Sequence, residues 1–318
     1  MRAVVIEHGR ILVRDEPDPV PEKGELLVRV QTAGLCGTDL QLVHGYAEFF
    51  GIPGHEFVGT VAKGPAELVG KRVVAEINCV CGRCEMCAGG LSNHCIRRTV
   101  VGISGRAGAF AEYLVVPIRN CHTIPETVSD EDAVFTEPLA AAYQVTRQIK
   151  LEPRMNVAVV GTGRLGLLVA QVMARSGCAL VAVGRNPMTL GLLDRKRIRT
   201  ALVSELRQVG DCDVVVDCTG SPDGLKTALR LVRPRGTIVM KTTCAADAPV
   251  DLTPLVVNEV TLLGSRCGPF DEALGALARR DIDVGSLVTR RLPLSAAAEA
   301  FELAAQPDHI KILLKVRQ

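Results

Sequence analysis

The sequence predicts an α/β protein in which a β-rich first third is joined to a doubly wound parallel sheet. Two patterns and one motif carry that prediction. Residues 26–32 (LLVRVQT), 56–62 (EFVGTVA), 72–77 (RVVAEI) and 110–116 (FAEYLVV) are short β-rich runs bounded by Gly, Pro or Lys-Gly turns. From Asn156 onward, apolar strands alternate with helical segments: NVAVV, RLGLLVAQVMARS, ALVAV, DVVVDC, PDGLKTALRLV and TIVMK. Strands that are apolar throughout belong to sheets covered by helices on both faces. The glycine motif GTGRLG stands between the first such strand and the first such helix.

The 318 residues suffice for two domains with a sizeable core. Lys+Arg 37 against Asp+Glu 35 leave a net charge of +2, which gives no electrostatic case for nucleic acid. With no Trp, 3 Tyr and 7 Phe, platforms for stacking bases have little material, and the core is expected to be aliphatic. No uncharged run approaches the roughly twenty residues needed to cross a bilayer. Glu7 interrupts any signal-peptide reading, so a cytoplasmic protein without membrane partners is expected. In that reducing compartment the 12 cysteines point to metal ligands or buried thiols rather than disulfides.

Between the two halves, Ser129 and Asp132 are spaced as a capping pair. Pro138 is expected as the first residue of a helix through LAAAYQVTRQI, where the donor it lacks would be orphaned in any case, and Glu137 would stand at the mouth of that helix. The second domain is expected to start near residue 152.

Cys81, Cys84, Cys87 and Cys95 form CxxCxxCx7C in one short loop. Four thiolates this close need a cation, and a tetrahedral zinc with a closed sulfur shell is the expected occupant, in a structural role. Buried free cysteines and an iron–sulfur cluster are the alternatives. Gly82, Gly89 and Gly90 allow the tight turns such a loop needs. Cys79 falls outside the spacing as a spare thiol. Cys121, Cys178, Cys212, Cys218, Cys244 and Cys267 are scattered, and most are expected to be small core residues.

A second constellation flanks that loop: LCGTD (Leu35–Asp39), GHE (Gly54–Glu56) and TEPLA (Thr136–Ala140). Cys36, His55 and a carboxylate would give three mixed ligands and leave a fourth position for water or substrate, which is the make-up of a catalytic zinc. These motifs, the four-cysteine loop and the glycine fingerprint stand in the order found in zinc-dependent medium-chain dehydrogenases. The chain resembles that family over essentially its whole length, and most of all its sorbitol and threonine dehydrogenase branch.

The resemblance implies a GroES-like β-barrel catalytic domain (1–152 and 285–318) and a Rossmann cofactor domain (153–284), with the active site in the cleft between them. It implies that Cys36 and His55 are zinc ligands, that Glu137 matches the branch's carboxylate, and that Glu56 either ligates zinc or stands behind it. Thr38 matches the hydroxyl that takes the alcohol proton. Many relatives have a histidine five residues after the cysteine. Here it is Gln41, which cannot titrate, so the proton route must use water, the cofactor ribose or His44. VTLLGSR (Val260–Arg266) resembles the edge strand through which such chains form homodimers or homotetramers.

Gly161, Gly163 and Gly166, with Arg164 and Leu165 between them, follow VAVV and open an apolar-periodic helix. In that context bare backbone approaches a pyrophosphate whose charge meets a helix N-terminus. Cys218 and Thr219 resemble the family's next cofactor-facing loop. The strand ALVAV ends in Gly184-Arg185-Asn186 without the carboxylate that would bind a ribose diol. Arg185 can clamp a phosphate, and Gly184 removes a side chain, so NADP is expected over the alternative NAD.

The expected activity is reversible oxidation of an alcohol to its carbonyl by hydride transfer. A polyol, a sugar-like alcohol and an amino alcohol all remain open as substrates, and Tyr46, Phe49 and Phe50 wall the site or belong to the core. Two other classes compete. One is an NADP(H)-sensing scaffold without turnover. The other is a zinc-ribbon protein contacting nucleic acid through Arg83, Arg97 and Arg98, which lacks a basic stripe.

Overall fold

The protein is described by a computed structural model covering residues 1–206, 210–243 and 250–316. It divides into two compact units, Met1–Glu137 with Phe270–Gln318, and Pro138–Pro269. The first division falls inside the helix Thr136–Gln148, ahead of the change in composition near residue 152. The body of that helix bonds to the second unit: Lys241 Nζ donates to Ala141 O at 2.8 Å, and Gln148 Nε2 donates to Gly264 O at 3.1 Å. The chain returns at Phe270 because that ring stacks on His122 of the first unit, 5.3 Å between centroids.

The first unit is built on a seven-stranded sheet ordered Cys121–Thr123, Arg72–Ala75, Glu56–Lys63, Glu25–Gly34, Lys311–Lys315, Val288–Pro293, with Tyr113–Pro117 also pairing with Glu25–Gly34. One edge of Glu25–Gly34 serves two partners. Its first half pairs with Tyr113–Pro117 and its last residues pair with Lys315 to Leu313. Register shifts at Leu27/Val28 and Val30/Thr32 bend the strand so that it can serve both. The chain's last described strand thus lies in the first unit.

The predicted runs at 26–32 and 56–62 lie within strands, 72–77 contains Arg72–Ala75, and 110–116 overlaps Tyr113–Pro117. Ser129 Oγ accepts from the Asp132 N–H at 3.1 Å, the capping pair expected. Pro138 is a correction: the helix begins two residues earlier, at Thr136. Proline is accommodated there because every N–H of a first helical turn lacks an intrahelical acceptor.

The second unit carries a six-stranded, wholly parallel sheet ordered Arg199–Leu202, Ala179–Gly184, Asn156–Val160, Cys212–Asp217, Val232–Met240, Thr261–Gly264. In chain order this is 3-2-1-4-5-6, the doubly wound arrangement whose switch point lies between Asn156–Val160 and Cys212–Asp217. Ala158, Val160, Val183, Val215 and Ile238 are buried at 1% exposure or less and pack with Ala228 and Leu231 of the helix Asp223–Leu231. Among the described residues, no helix is long and apolar enough to cross a membrane.

Candidate metal sites and cofactor turn

Cys36 immediately precedes the helix Gly37–Val43, and its N–H donates to Asp39 Oδ2 at 2.8 Å. That bond fixes the approach of the chain to the helix and so the place of the sulfur. Glu56 opens the strand Glu56–Lys63, which puts His55 at the end of the preceding loop. The segment around Gly54 lies backbone on backbone against the segment around Gly102 and Gly108: a Cβ at Gly102 would overlap Gly54 O, and one at Gly108 would overlap Pro53 O. Three glycines at one crossing give His55 its fixed address.

The ligand atoms of Cys36, His55 and Glu56 lie within 4.8 Å of one another, with His55 and Glu56 buried. Asp39 is fully buried behind them. Its Oδ1 faces His55 Nδ1 at 3.5 Å, and neither atom has a hydrogen-bond partner among the described residues. Burial pushes the His55 imidazole down, but Asp39 and the Cys36 sulfur outweigh it and hold it well above its ordinary value. Glu56 is ion-paired with buried Lys311. A zinc bound here would be held by Cys36 as thiolate, His55 as neutral imidazole and Glu56, with the Asp39 carboxylate behind the imidazole and the Lys311 ammonium behind Glu56. The donor set and its charge fit a zinc with three protein ligands. Thr38 Oγ1 stands 3.8 Å from Cys36 Sγ.

Glu137 is half-buried in the first turn of its helix and is not part of this three-residue group. Gln41 is half-buried on the same helix as Thr38, one turn on, and His44 is exposed at its C-terminus.

Cys81, Cys84, Cys87 and Cys95 form the second group. Sulfur separations are 3.5 Å for Cys84–Cys87, 3.7 Å for Cys84–Cys95 and 3.5 Å for Cys81–Cys95. A tetrahedron with Zn–S bonds of about 2.3 Å has edges of about 3.8 Å, so the cluster fits the ion without rearrangement. Backbone N–H groups of Cys81 and Arg97 both point at Cys95 Sγ at 3.4 Å. The Arg83 N–H, with further bonds, lowers the Cys81 thiol to about 6, which prepares it to bind as thiolate. Cys79 is buried outside the cluster, with Asn120 Nδ2 3.8 Å from its sulfur. The expectation that most scattered cysteines are core residues needs correction. Of Cys121, Cys178, Cys212, Cys218 and Cys267 only Cys212 is buried, and Cys244 lies outside the described residues.

In the second unit Gly161 has φ +93°, and a Cβ there would lie 2.8 Å from the Cys218 backbone and Thr219 Cα. A Cβ at Gly166 would overlap Gly161 O. The turn is therefore closed on bare backbone, with Gly163 exposed immediately before the helix Arg164–Ala174, and half-buried Arg164 and Leu165 begin that helix. The neighbouring loop is held by Asp217, whose Oδ1 accepts from Thr219 N–H at 2.9 Å, Thr219 Oγ1 at 2.8 Å and Thr242 Oγ1 at 2.9 Å. Cys218 is half-buried in that loop.

Gly184 is buried with Thr162 Oγ1 directly over it, and Thr162 pairs with Thr189 at 2.8 Å, so packing alone requires glycine there. Arg185 beside it is exposed and makes no hydrogen bond or ion pair with the described residues. Tyr46 and Phe50 are exposed rather than core. Phe49 and Phe50 line a cavity of about 490 Å³ with Glu48, Ile52, Ser104 and Arg106.

Sequence reasoning missed Asp39, Asp217, Thr242 and Lys311 as supports. Asp39 stands at capping distance from Cys36, a usable signal. Lys311 is a lone charge opening the apolar run ILL, a weaker one.

A family described as "Alcohol dehydrogenase GroES-like domain" matches residues 22–126, and one described as "Zinc-binding dehydrogenase" matches 165–279. The chain is 31% identical to D-altritol 5-dehydrogenase of Agrobacterium fabrum over 91% of each chain. It is 28% identical to sorbitol dehydrogenase of Halalkalibacterium halodurans over 99% of each. A Sinorhizobium meliloti structure described as that of a zinc-binding dehydrogenase bound to NADP superposes with a TM-score of 0.87 at 28% identity, covering 99% of this chain and 98% of that one.

Proposed function

The chain belongs to the zinc-dependent medium-chain dehydrogenase family, and from that premise we propose that it interconverts a polyol or sugar-like alcohol and its carbonyl by hydride exchange with NADP(H). The observation that carries this reading is the convergence of half-buried Cys36 with buried His55 and Glu56, backed by buried Asp39. When bound, zinc supplies a Lewis acid that favours ionisation of the substrate hydroxyl, and the nicotinamide supplies the hydride acceptor.

The chain's own residues do the rest. Cys36 would bind through Sγ and His55 through Nε2, because Nδ1 faces Asp39. Thr38 Oγ1 takes the substrate's proton, and half-buried Gln41 lies one turn further along the same helix Gly37–Val43, beside the onward route through water, the cofactor ribose or exposed His44. Glu56 is taken as the resting carboxylate ligand because Glu137 is not part of the three-residue group, and Cys81, Cys84, Cys87 and Cys95 would hold a second zinc that stabilises its loop. In the second unit the Gly161–Gly166 turn and the Arg164–Ala174 N-terminus would receive a pyrophosphate, Cys218 and Thr219 would line the cofactor site, and exposed Arg185 would be available to a ribose phosphate.

A cytoplasmic setting suits a site built on free thiolates. Thr261–Gly264 is the last strand of its sheet, with Leu262, Val256 and Val257 exposed nearby, which suits a homodimer or homotetramer formed through that edge. The test is a spectrophotometric screen of straight-chain polyols with each cofactor. Turnover with NADP is expected, and Arg185→Ala should raise the KM for NADP about tenfold while hardly moving that for NAD. A wild-type preference for NAD contradicts the cofactor assignment.

A further inference from the structure

Lys241 has no part in the chemistry above, yet it is only 9% exposed, and lysines are rarely buried so deeply. It follows the inner strand Val232–Met240 at the carboxyl edge of the parallel sheet, and its backbone N–H donates to Asp217 O at 2.9 Å. Its ammonium donates to Ala141 O at 2.8 Å and to Ser265 Oγ at 3.4 Å. Ser265 in turn follows the next strand, Thr261–Gly264. The next residue, Thr242, shares the Asp217 carboxylate with Thr219. Burial pushes the Cys218 thiol up to about 12 and the Lys241 charge pulls against it, so the field of the ammonium reaches that loop. A neutral donor could make the same bonds to Ala141 and Ser265. What an ammonium adds is its field.

In a doubly wound sheet a dinucleotide lies across the switch point, one nucleotide over each half. Arg185, at the end of Ala179–Gly184, marks the adenosine half. The nicotinamide half then belongs over the carboxyl ends of Cys212–Asp217, Val232–Met240 and Thr261–Gly264, the ends that surround Lys241. An oxidised nicotinamide ring carries a positive charge that the reduced ring lacks. We propose that Lys241 sets the balance between the two cofactor forms, weakening NADP⁺ relative to NADPH through the repulsion of two cations. In alcohol oxidation the electron pair of the carbinol C–H bond passes to the ring and cancels its charge, while the hydroxyl proton leaves by way of Thr38. Relief of the repulsion therefore draws the bound equilibrium toward the carbonyl and NADPH. The inference rests on the reading of the second unit as an NADP(H) site.

Calorimetric titration of the zinc-loaded full chain with NADP⁺, NADPH and 2′-phospho-ADP-ribose, which lacks the nicotinamide, tests it. Lys241→Met and Lys241→Gln should each lower the ratio of the NADP⁺ to the NADPH dissociation constant about tenfold. Affinity for 2′-phospho-ADP-ribose should stay within about twofold of wild type. A lysine that merely ties the helix Thr136–Gln148 to the sheet predicts something else: both cofactor forms weaken together in Lys241→Met, and the glutamine, which keeps a donor, restores them.

An unchanged or raised ratio in the two variants overturns the proposal. If neither folds, Ser265→Asp takes their place, because a carboxylate beside the ammonium offsets its field with the lysine retained. A lowered ratio then supports the proposal, and an unchanged or raised one overturns it. A wild-type chain that does not bind 2′-phospho-ADP-ribose refutes the NADP(H) site itself, whereas binding with an unchanged ratio in the variants refutes the role of Lys241 alone.

Discussion

Two metal-binding constellations lie in the same unit and differ in almost every respect. The first takes four sulfurs from one loop and supports itself with the short helical turns Glu85–Ala88 and Ser92–His94. The second takes three unlike donors from two separate segments and is backed by Asp39 and Lys311. A closed shell of like donors binds a cation and leaves nothing for substrate. A mixed shell of three protein donors leaves a position for chemistry. The contrast predicts that damage to one site is read as lost stability and damage to the other as lost turnover.

The largest expected effect breaks the comparison at the mixed site. Cys36→Ser should lower kcat/KM by about a thousandfold or more while the melting temperature moves by only about 2 °C. Cys84→Ser should do the reverse in kind, costing about 3 kcal/mol or more because zinc binding is folding energy for a self-contained loop. Calorimetry and steady-state kinetics on both proteins check the pair. A Cys84→Ser chain that keeps its melting temperature would erase the distinction.

Gly166→Ala sharpens the contrast from the other unit, where function depends on bare backbone rather than on donor atoms. Its methyl would overlap Gly161 O, so cofactor affinity measured by nicotinamide fluorescence should fall at least about tenfold, at a stability cost of about 1–3 kcal/mol.

The smallest effect concerns a surface network that has no metal. Arg291 pairs with both oxygens of Glu131 at 2.7–3.1 Å, Lys315 adds a contact at 2.9 Å, and with Arg291 the larger influence they hold Glu131 down at about 2. A carboxylate lowered on folding stabilises above its unfolded value and loses that contribution as pH falls through the folded value. After allowance for solvent screening, Glu131→Gln should cost about 1 kcal/mol at neutral pH, and the difference should vanish as pH falls from about 5 to 2. A constant difference across that range in urea melts would contradict the pairing.

Legibility in the sequence follows the same divide. The four cysteines are local, so their spacing alone implied the cluster that the coordinates show. The alternation after Asn156 implied a parallel sheet because its two central strands, Asn156–Val160 and Cys212–Asp217, are apolar through their middles. Cys36, His55 and Glu56 were individually uninformative, and only their order along the chain suggested a common site.

What the sequence hid is what depends on strand pairing. Lys311 reaches Glu56 because Lys311–Lys315 pairs with Glu25–Gly34, a long-range register that no local pattern encodes. Gly184 illustrates a right residue with an incomplete reason, since buried Thr162 already forbids a side chain there, whatever phosphate lies nearby.

Two zinc sites of different kinds in one chain are open to direct measurement by metal analysis of the purified wild type, Cys36→Ser with His55→Ala, and Cys84→Ser. Two zincs per chain are expected in the wild type and one in each variant, with activity surviving in proportion to folded protein only in the last. A single zinc in the wild type, or an unchanged count after Cys36 and His55 are both replaced, would contradict that expectation.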